Sequence, residues 1–220
     1  LHQYQARITM LSILEAEQDA VRLVKSDPVI SSIGSLLASE LDTSLTYHSF
    51  EHSDEVLSLA VALAATDGLD ARDLLLIGIA AAYHDSGFLE QRLGHEIVSA
   101  DLAESAMRTN QNFSKEEINL VKQMIWDTKL QSIGPSHCLN TALSPWLIDA
   151  DLSNLGRPDF LKQTKLLADE LDISIDTMLD QSSRLMDRHK WFSPAGQKIL
   201  GPQKDVNIKE LRAKLKRCAS

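Results

Sequence analysis

A histidine at position 52, the adjacent pair His84-Asp85 and an aspartate at 151 stand where helical periodicity calls for buried side chains. His52 precedes Val56, Leu59 and Leu63 by 4, 7 and 11 residues, so it continues their stripe. His48 lies one turn further back. His84 and Asp85 follow the longest apolar stretch in the chain, Leu74 to Tyr83, and Asp151 shares a face with Ile148 and Leu155. Asp149 is rotated from Asp151 by about 200° and is expected to point elsewhere. Burying a carboxylate without a partner is costly, so two Asp and two His aimed at one core call for a shared partner. A divalent cation is such a partner, and mixed imidazole and carboxylate donors favour Mn, Fe, Zn, Co or Ni over Ca. Each position alone has an ordinary reading. A histidine on an apolar stripe can be a hydrogen-bonded core residue, His84-Asp85 a helix end, and Asp151 the partner of a buried cation. The coincidence on separate inward faces carries the argument.

The elements that must position these residues read as helices throughout. The chain has 220 residues, 44% of them hydrophobic and only 5% aromatic, enough for one well-filled core. An opening helical stretch runs from about Tyr4 to Lys25, and after Asp27-Pro28 a short helix reaches about Leu41. A helix from Glu51 ends at Asp67-Gly68, and Asp70 caps the apolar one that follows. Further helices cover about His95 to Arg108 and the segment after Ser114, whose spacing to Glu117 is that of a capping box. A polar stretch with Gly134-Pro135 is long enough to form a site rim. Ser144-Pro145 reads as a cap with proline at the first helical position. Leu161, Thr164, Ala168 and Leu171 mark the next helix, and another spans about Ser174 to Arg188. Ser193 to Asp205 reads as a Gly/Pro-punctuated loop, and Asn207 as the cap of a last helix. All six prolines then fall at or outside helix ends. The expected architecture is all-α, a single helical-bundle domain over residues 1–220.

A net charge of −9 argues against a nucleic-acid partner, which would need clustered cations. The basic run from Lys209 to Arg217, interleaved with Leu211 and Leu215, reads as the wet face of a terminal helix. Cys138 and Cys218 have no C-x-x-C spacing and suggest neither a disulfide framework nor a zinc knuckle. No apolar run has membrane-spanning length, and no secretory pattern opens the sequence. A cytoplasmic protein is expected. Trp126, Trp146 and Trp191 are read as packing residues, and His2, His137 and His189 receive no function, His2 and His189 being placed near the surface.

The ordered segments Tyr47-His48-Ser49-Phe50-Glu51-His52, Tyr83-His84-Asp85-Ser86-Gly87 and Asp149-Ala150-Asp151-Leu152-Ser153-Asn154 resemble the HD-domain superfamily of metal-dependent phosphohydrolases. The first and last are similar to the cyclic-nucleotide phosphodiesterase branch. The motif core covers about residues 47–156. The resemblance implies an HD-type bundle with His52, His84, Asp85 and Asp151 as ligands of one or two divalent ions (Mn, Fe, Zn, Co, Ni or Mg). Asp85 would be the bridging ligand, with a catalytic part in consequence, and His48 the proton donor to the leaving oxygen. It further implies hydrolysis of a small phosphate ester, a nucleotide or related metabolite, by metal-activated water; neither nucleic acid nor membrane is expected as partner, from the charge and the apolar run lengths. The chain is short for a phosphodiesterase, lacks an identifiable purine clamp, and has no Gly-Tyr-Pro after His84-Asp85. His95 and Asp127 are candidates for substrate binding or a second metal, and Glu96 is a further one. The competing expectations are a catalytically silent metal- or nucleotide-binding regulatory module of the same fold and a di-iron oxygenase.

Overall fold

The computed structural model describes residue 13 and residues 15–218, with the side chain of the last left out, and shows only helices as regular structure there. In chain order they are α1 (Gln18–Lys25), α2 (Pro28–Glu40), α3 (Phe50–Thr66), α4 (Ala71–Tyr83), α5 (His95–Asn110), α6 (Lys115–Asp127), α7 (Ser144–Asp151), α8 (Phe160–Glu170), α9 (Ile175–Arg188) and α10 (Pro194–Cys218). Short 3-10 turns occupy Ser86–Leu89 and Leu152–Gly156. Most of the opening helix expected from Tyr4, and His2 with it, lies outside the described residues. Among those described, no helix is long and apolar enough to cross a membrane.

Local capping chemistry sets most starts. Asp27 accepts from Val29 N ahead of Pro28, and Asp70 accepts from Arg72 N and Asp73 N. Ser114 and Glu117 form both bonds of the capping box. Ser49 receives His52 N, so the residue that starts α3 also fixes the first turn carrying His52. At the centre, α4 packs on α3 and α6, and Ile77, Ile79, Ala80 and Ala81 are fully buried. A helix apolar on every side belongs in such a place. Tyr83 Oη ties its end to Val29 O of α2.

Five expectations need correction. Residues 194–205 do not form a loop: α10 runs through Pro202, whose ring is exposed while Ile199, Leu200 and Leu211 face the core. A proline inside a helix costs ~3 kcal/mol through a lost hydrogen bond and a clash, and burial of three large aliphatic side chains at roughly 1.5–3 kcal/mol each exceeds that. Asn207 is therefore no cap; its Nδ2 donates to Leu155 O and Arg157 O and closes the 152–156 turn. Ser144 is already helical, and Thr141 does the capping, its Oγ1 accepting from Leu143 N and Ser144 N. On α8 the stripe is rotated: Phe160, Thr164 and Ala168 are buried whereas Leu161 and Leu171 are exposed.

His189, expected near the surface, is buried. Its Nδ1 and its carbonyl both accept from Lys204 Nζ, at 2.9 and 2.7 Å. Burial and the Lys204 charge push the imidazole down to about 3 from an ordinary 6.5. The folded pKa lies below the unfolded one, so the unfolded chain binds the extra proton between these values and stability falls as pH drops through that window. Chemical denaturation should show a larger loss between about pH 7 and about pH 4.5 in the native chain than in His189→Gln, which keeps an acceptor for Lys204 without the titration. Equal losses in both would remove His189 from the acid limb.

Candidate metal centre

Three helix ends converge on one point. His52 comes from the first turn of α3, His84 and Asp85 from the residues that terminate α4, and Asp151 from the last position of α7. His84 Nδ1 lies 2.7 Å from Ala81 O, which makes Nδ1 the protonated nitrogen and turns Nε2 inward. His52 Nε2, His84 Nε2 and Asp85 Oδ2 lie within 4.8 Å of one another, and this trio could hold a metal ion. All three atoms are buried and lack a hydrogen-bond partner. Asp151 Oδ1 reaches the same two nitrogens, at 3.4 Å from His52 and 3.5 Å from His84.

The corresponding separations from Asp85 Oδ2 are 3.6 Å to His52 and 3.2 Å to His84. Donors ~2.1 Å from one ion sit roughly 3.0 Å apart at cis-octahedral and roughly 3.4 Å apart at tetrahedral angles. The separations between carboxylate oxygens and imidazole nitrogens are compatible with donors gathered around a single metal ion. The carbonyl ends of α4 and α7 add the negative pole of each helix to this point.

The electrostatics are those of two anions sharing imidazoles. Burial opposes charge on His84, yet Asp85 and Asp151 outweigh it and hold the ring well above its usual range. Against the same opposing burial, His84 and His95 pull Asp85 well below the carboxylate range, and His52 and His84 do so for Asp151. Both carboxylates are thus ionised near neutral pH.

A second tier surrounds the cluster. His95, at the start of α5, places Nε2 3.2 Å from Asp85 Oδ1 while its Nδ1 faces Arg92 O at 3.1 Å, so it holds the far oxygen of Asp85. Gly87 makes this approach possible: a Cβ there would meet His95 O at 2.1 Å. His48 Nδ1 lies 2.6 Å from Glu170 Oε1, and Glu170 Oε2 accepts from Tyr47 N and His48 N. Burial opposes its protonation, but Glu170, Asp85 and Asp151 raise His48 above its usual value. Phe88 is stacked between the two outer imidazoles, 4.7 Å from His48 and 4.2 Å from His95.

Asp127 is engaged by a different set of partners. It is buried, and its carboxylate accepts from Gln123 Nε2, Asn140 N, Asn140 Nδ2 and Ser144 Oγ, pinning the 128–143 segment to α6 and α7. Four protein donors leave it little to offer a second ion or a substrate. Glu96 acts on the cluster through its charge on His95. Asp149 does point away from Asp151, as its rotation predicts. It receives Phe192 N, Ser193 N and Ser193 Oγ, and burial pushes it up to about 6. Glu170 and Phe88 escape a reading of the sequence. Glu170 sits at the edge of the α8 stripe and meets a histidine 122 positions away. Phe88 lies in a turn whose single aromatic residue carries no periodic signal.

No protein-family model matches the chain, and a search of curated proteins returns no significant match.

Proposed function

We propose that this chain is a metal-dependent phosphohydrolase of the HD-domain type, acting on a small phosphate ester such as a nucleotide or a related metabolite. The observation that carries the reading is the trio of buried, unpartnered donors His52 Nε2, His84 Nε2 and Asp85 Oδ2, flanked by Asp151. Buried polar atoms without partners are rare in folded proteins and call for an explanation. His52, His84, Asp85 and Asp151 are the ligands in this proposal. The softer donors favour Mn, Fe, Zn, Co or Ni, with Mg admissible at the carboxylates.

A divalent ion held there supplies Lewis acidity toward a phosphoryl oxygen and makes hydroxide available near neutral pH. The protein's own groups do the rest. Ala81 O fixes the His84 tautomer that presents a lone pair inward, and His95 orients Asp85 through its other oxygen. Glu170 engages His48 at Nδ1, which leaves Nε2–H as the proton for the departing alkoxide. Burial works against that proton, while the Glu170 hydrogen bond and the Asp85 charge favour it and raise the imidazole above its ordinary value.

Metal analysis of the purified chain, joined to a panel of phosphate monoesters and diesters, tests the reading. About one or two first-row ions per chain and metal-dependent turnover are expected. Bound metal with no turnover across the panel would instead indicate a silent binding module. Two irons with oxygen consumption would indicate an oxygenase.

A further inference from the structure

Glu170 fixes one atom of His48 and leaves its ring plane open. The contact at 2.6 Å sets where Nδ1 lies, but the torsion that turns an imidazole about its Cβ–Cγ bond is broad. The direction of Nε2 is then set by what the ring faces. Those neighbours are aromatic. Tyr47 meets His48 edge-on, with ring centres 4.9 Å apart and planes at 80°, and Phe88 lies nearly flat against it at 4.7 Å and 22°. His95 is stacked on Phe88 as well, at 4.2 Å and 25°. Unlike His48, His95 is tied at both ring nitrogens, Nδ1 to Arg92 O and Nε2 to Asp85 Oδ1. Its plane is settled without help from Phe88.

The backbone of Phe88 is equally constrained. It belongs to the 3-10 segment Ser86–Leu89 that follows Asp85. Phe88 N donates to Asp85 O at 3.0 Å, Gly87 N to the buried Ser99 Oγ at 2.8 Å, and Ser86 Oγ to Tyr83 O at 2.8 Å. The turn that leaves Asp85 thus carries the flat surface against which His48 rests. Core filling does not account for this side chain, because Phe88 is only half-buried and is stacked on two imidazoles. Aromatic pairs prefer defined relative orientations, which an aliphatic side chain does not impose.

We propose that Phe88 is a positioning residue for proton transfer: backed by His95, it holds the His48 ring in the plane that directs Nε2 at the leaving oxygen. This rests on the phosphohydrolase reading and adds to it a residue outside both the ligand set and the proton donor. In the step concerned, the ester P–O bond breaks as water oxygen bonds to phosphorus. The departing oxygen takes the Nε2 proton of His48, and a proton from the attacking water restores it. Phe88 exchanges no proton and touches no reacting atom. Its part is geometric, and displacements of about 1 Å in a catalytic group are enough to slow a reaction.

The test uses the full chain loaded with Mn²⁺ and two pairs of esters, propyl phosphate with p-nitrophenyl phosphate and the methyl diesters of both. Each pair contrasts a leaving oxygen that needs a proton with one that does not. Phe88→Leu should lower kcat for the propyl ester by roughly five- to tenfold, the worth of one aromatic pair. KM, metal content and p-nitrophenyl turnover should stay near their native values. Phe88→Tyr, which keeps the flat face, should recover most of the loss. With Zn²⁺ bound, the His48 Cε1–H resonance, assigned through His48→Gln, should shift in Phe88→Leu as the ring current is removed and stay near its native position in Phe88→Tyr. Equal loss on both esters of a pair, no loss on either, a Phe88→Tyr as slow as Phe88→Leu, or an unmoved His48 resonance in Phe88→Leu overturns the proposal and leaves the phosphohydrolase reading standing. If the native chain hydrolyses no ester of either pair, that reading fails and the proposal with it.

Discussion

Asp151→Ala is expected to abolish metal retention and to lower kcat/KM by roughly 10³-fold or more, because the ion that would activate water and offset phosphoryl charge is no longer held. Asp151 Oδ1 approaches both inward imidazole nitrogens, at 3.4 and 3.5 Å. Its loss leaves His52 and His84 with a single carboxylate, Asp85. The consequence reaches stability by mass action. A ligand at about a thousand times its Kd stabilises the native state by about 4 kcal/mol, which corresponds to roughly 8–16 °C in Tm for a chain of this size. Added Mn²⁺ or Zn²⁺ should therefore raise the Tm of the native chain and leave that of Asp151→Ala nearly unmoved.

Asp127→Asn is the control that separates a ligand from a structural carboxylate. Asp127 is as buried as the cluster and holds four hydrogen bonds from α6, the 128–143 segment and α7. Its replacement should lower stability while metal per chain stays as in the native protein. Full activity and full metal content in Asp151→Ala would remove Asp151 from the ligand set.

The contrast between these two aspartates shows what the sequence could reveal. Asp151 was visible because a charged residue on an apolar stripe is a local anomaly, and the same holds for His52 and for His84-Asp85 after Leu74 to Tyr83. Asp127 produces a similar anomaly, yet it is relieved by Asn140 and Ser144, partners no helical pattern can bring to it. The helix starts at Asp27, Asp70, Ser114 and Ser174 were legible because each cap serves an amide two or three residues away. Pro202 misled for the opposite reason. Proline's local preference ends helices, but the burial of Ile199, Leu200 and Leu211 is a tertiary gain that sequence spacing alone does not weigh. His137 and His189 were equally opaque. The first is buried with Nε2 3.1 Å from Thr128 O and the second is held by Lys204. The all-helical class was thus readable, whereas the second tier around the cluster was assembled by distant segments.

That second tier carries the other large expected effect. His48→Ala should lower kcat by about 10²–10⁴-fold, the range for loss of a positioned general acid, with metal content unchanged since His48 lies outside the buried trio. Esters with good leaving groups, such as p-nitrophenyl phosphate, need no proton at departure and should lose far less. Glu170→Gln addresses how His48 is tuned. Burial works against the imidazolium, and the Glu170 hydrogen bond is the first of the effects that raise it. A general acid acts only while protonated, so kcat should decline as pH rises through the His48 pKa. Removing the Glu170 charge lowers that pKa, and the decline should move to lower pH while the amide still holds the ring through a hydrogen bond. Glu170→Ala should instead lose kcat more heavily than Glu170→Gln, because the backbone amides of Tyr47 and His48 also lose their acceptor. A pH profile identical in Glu170→Gln and the native chain would mean that Glu170 holds the ring in place without setting its proton affinity.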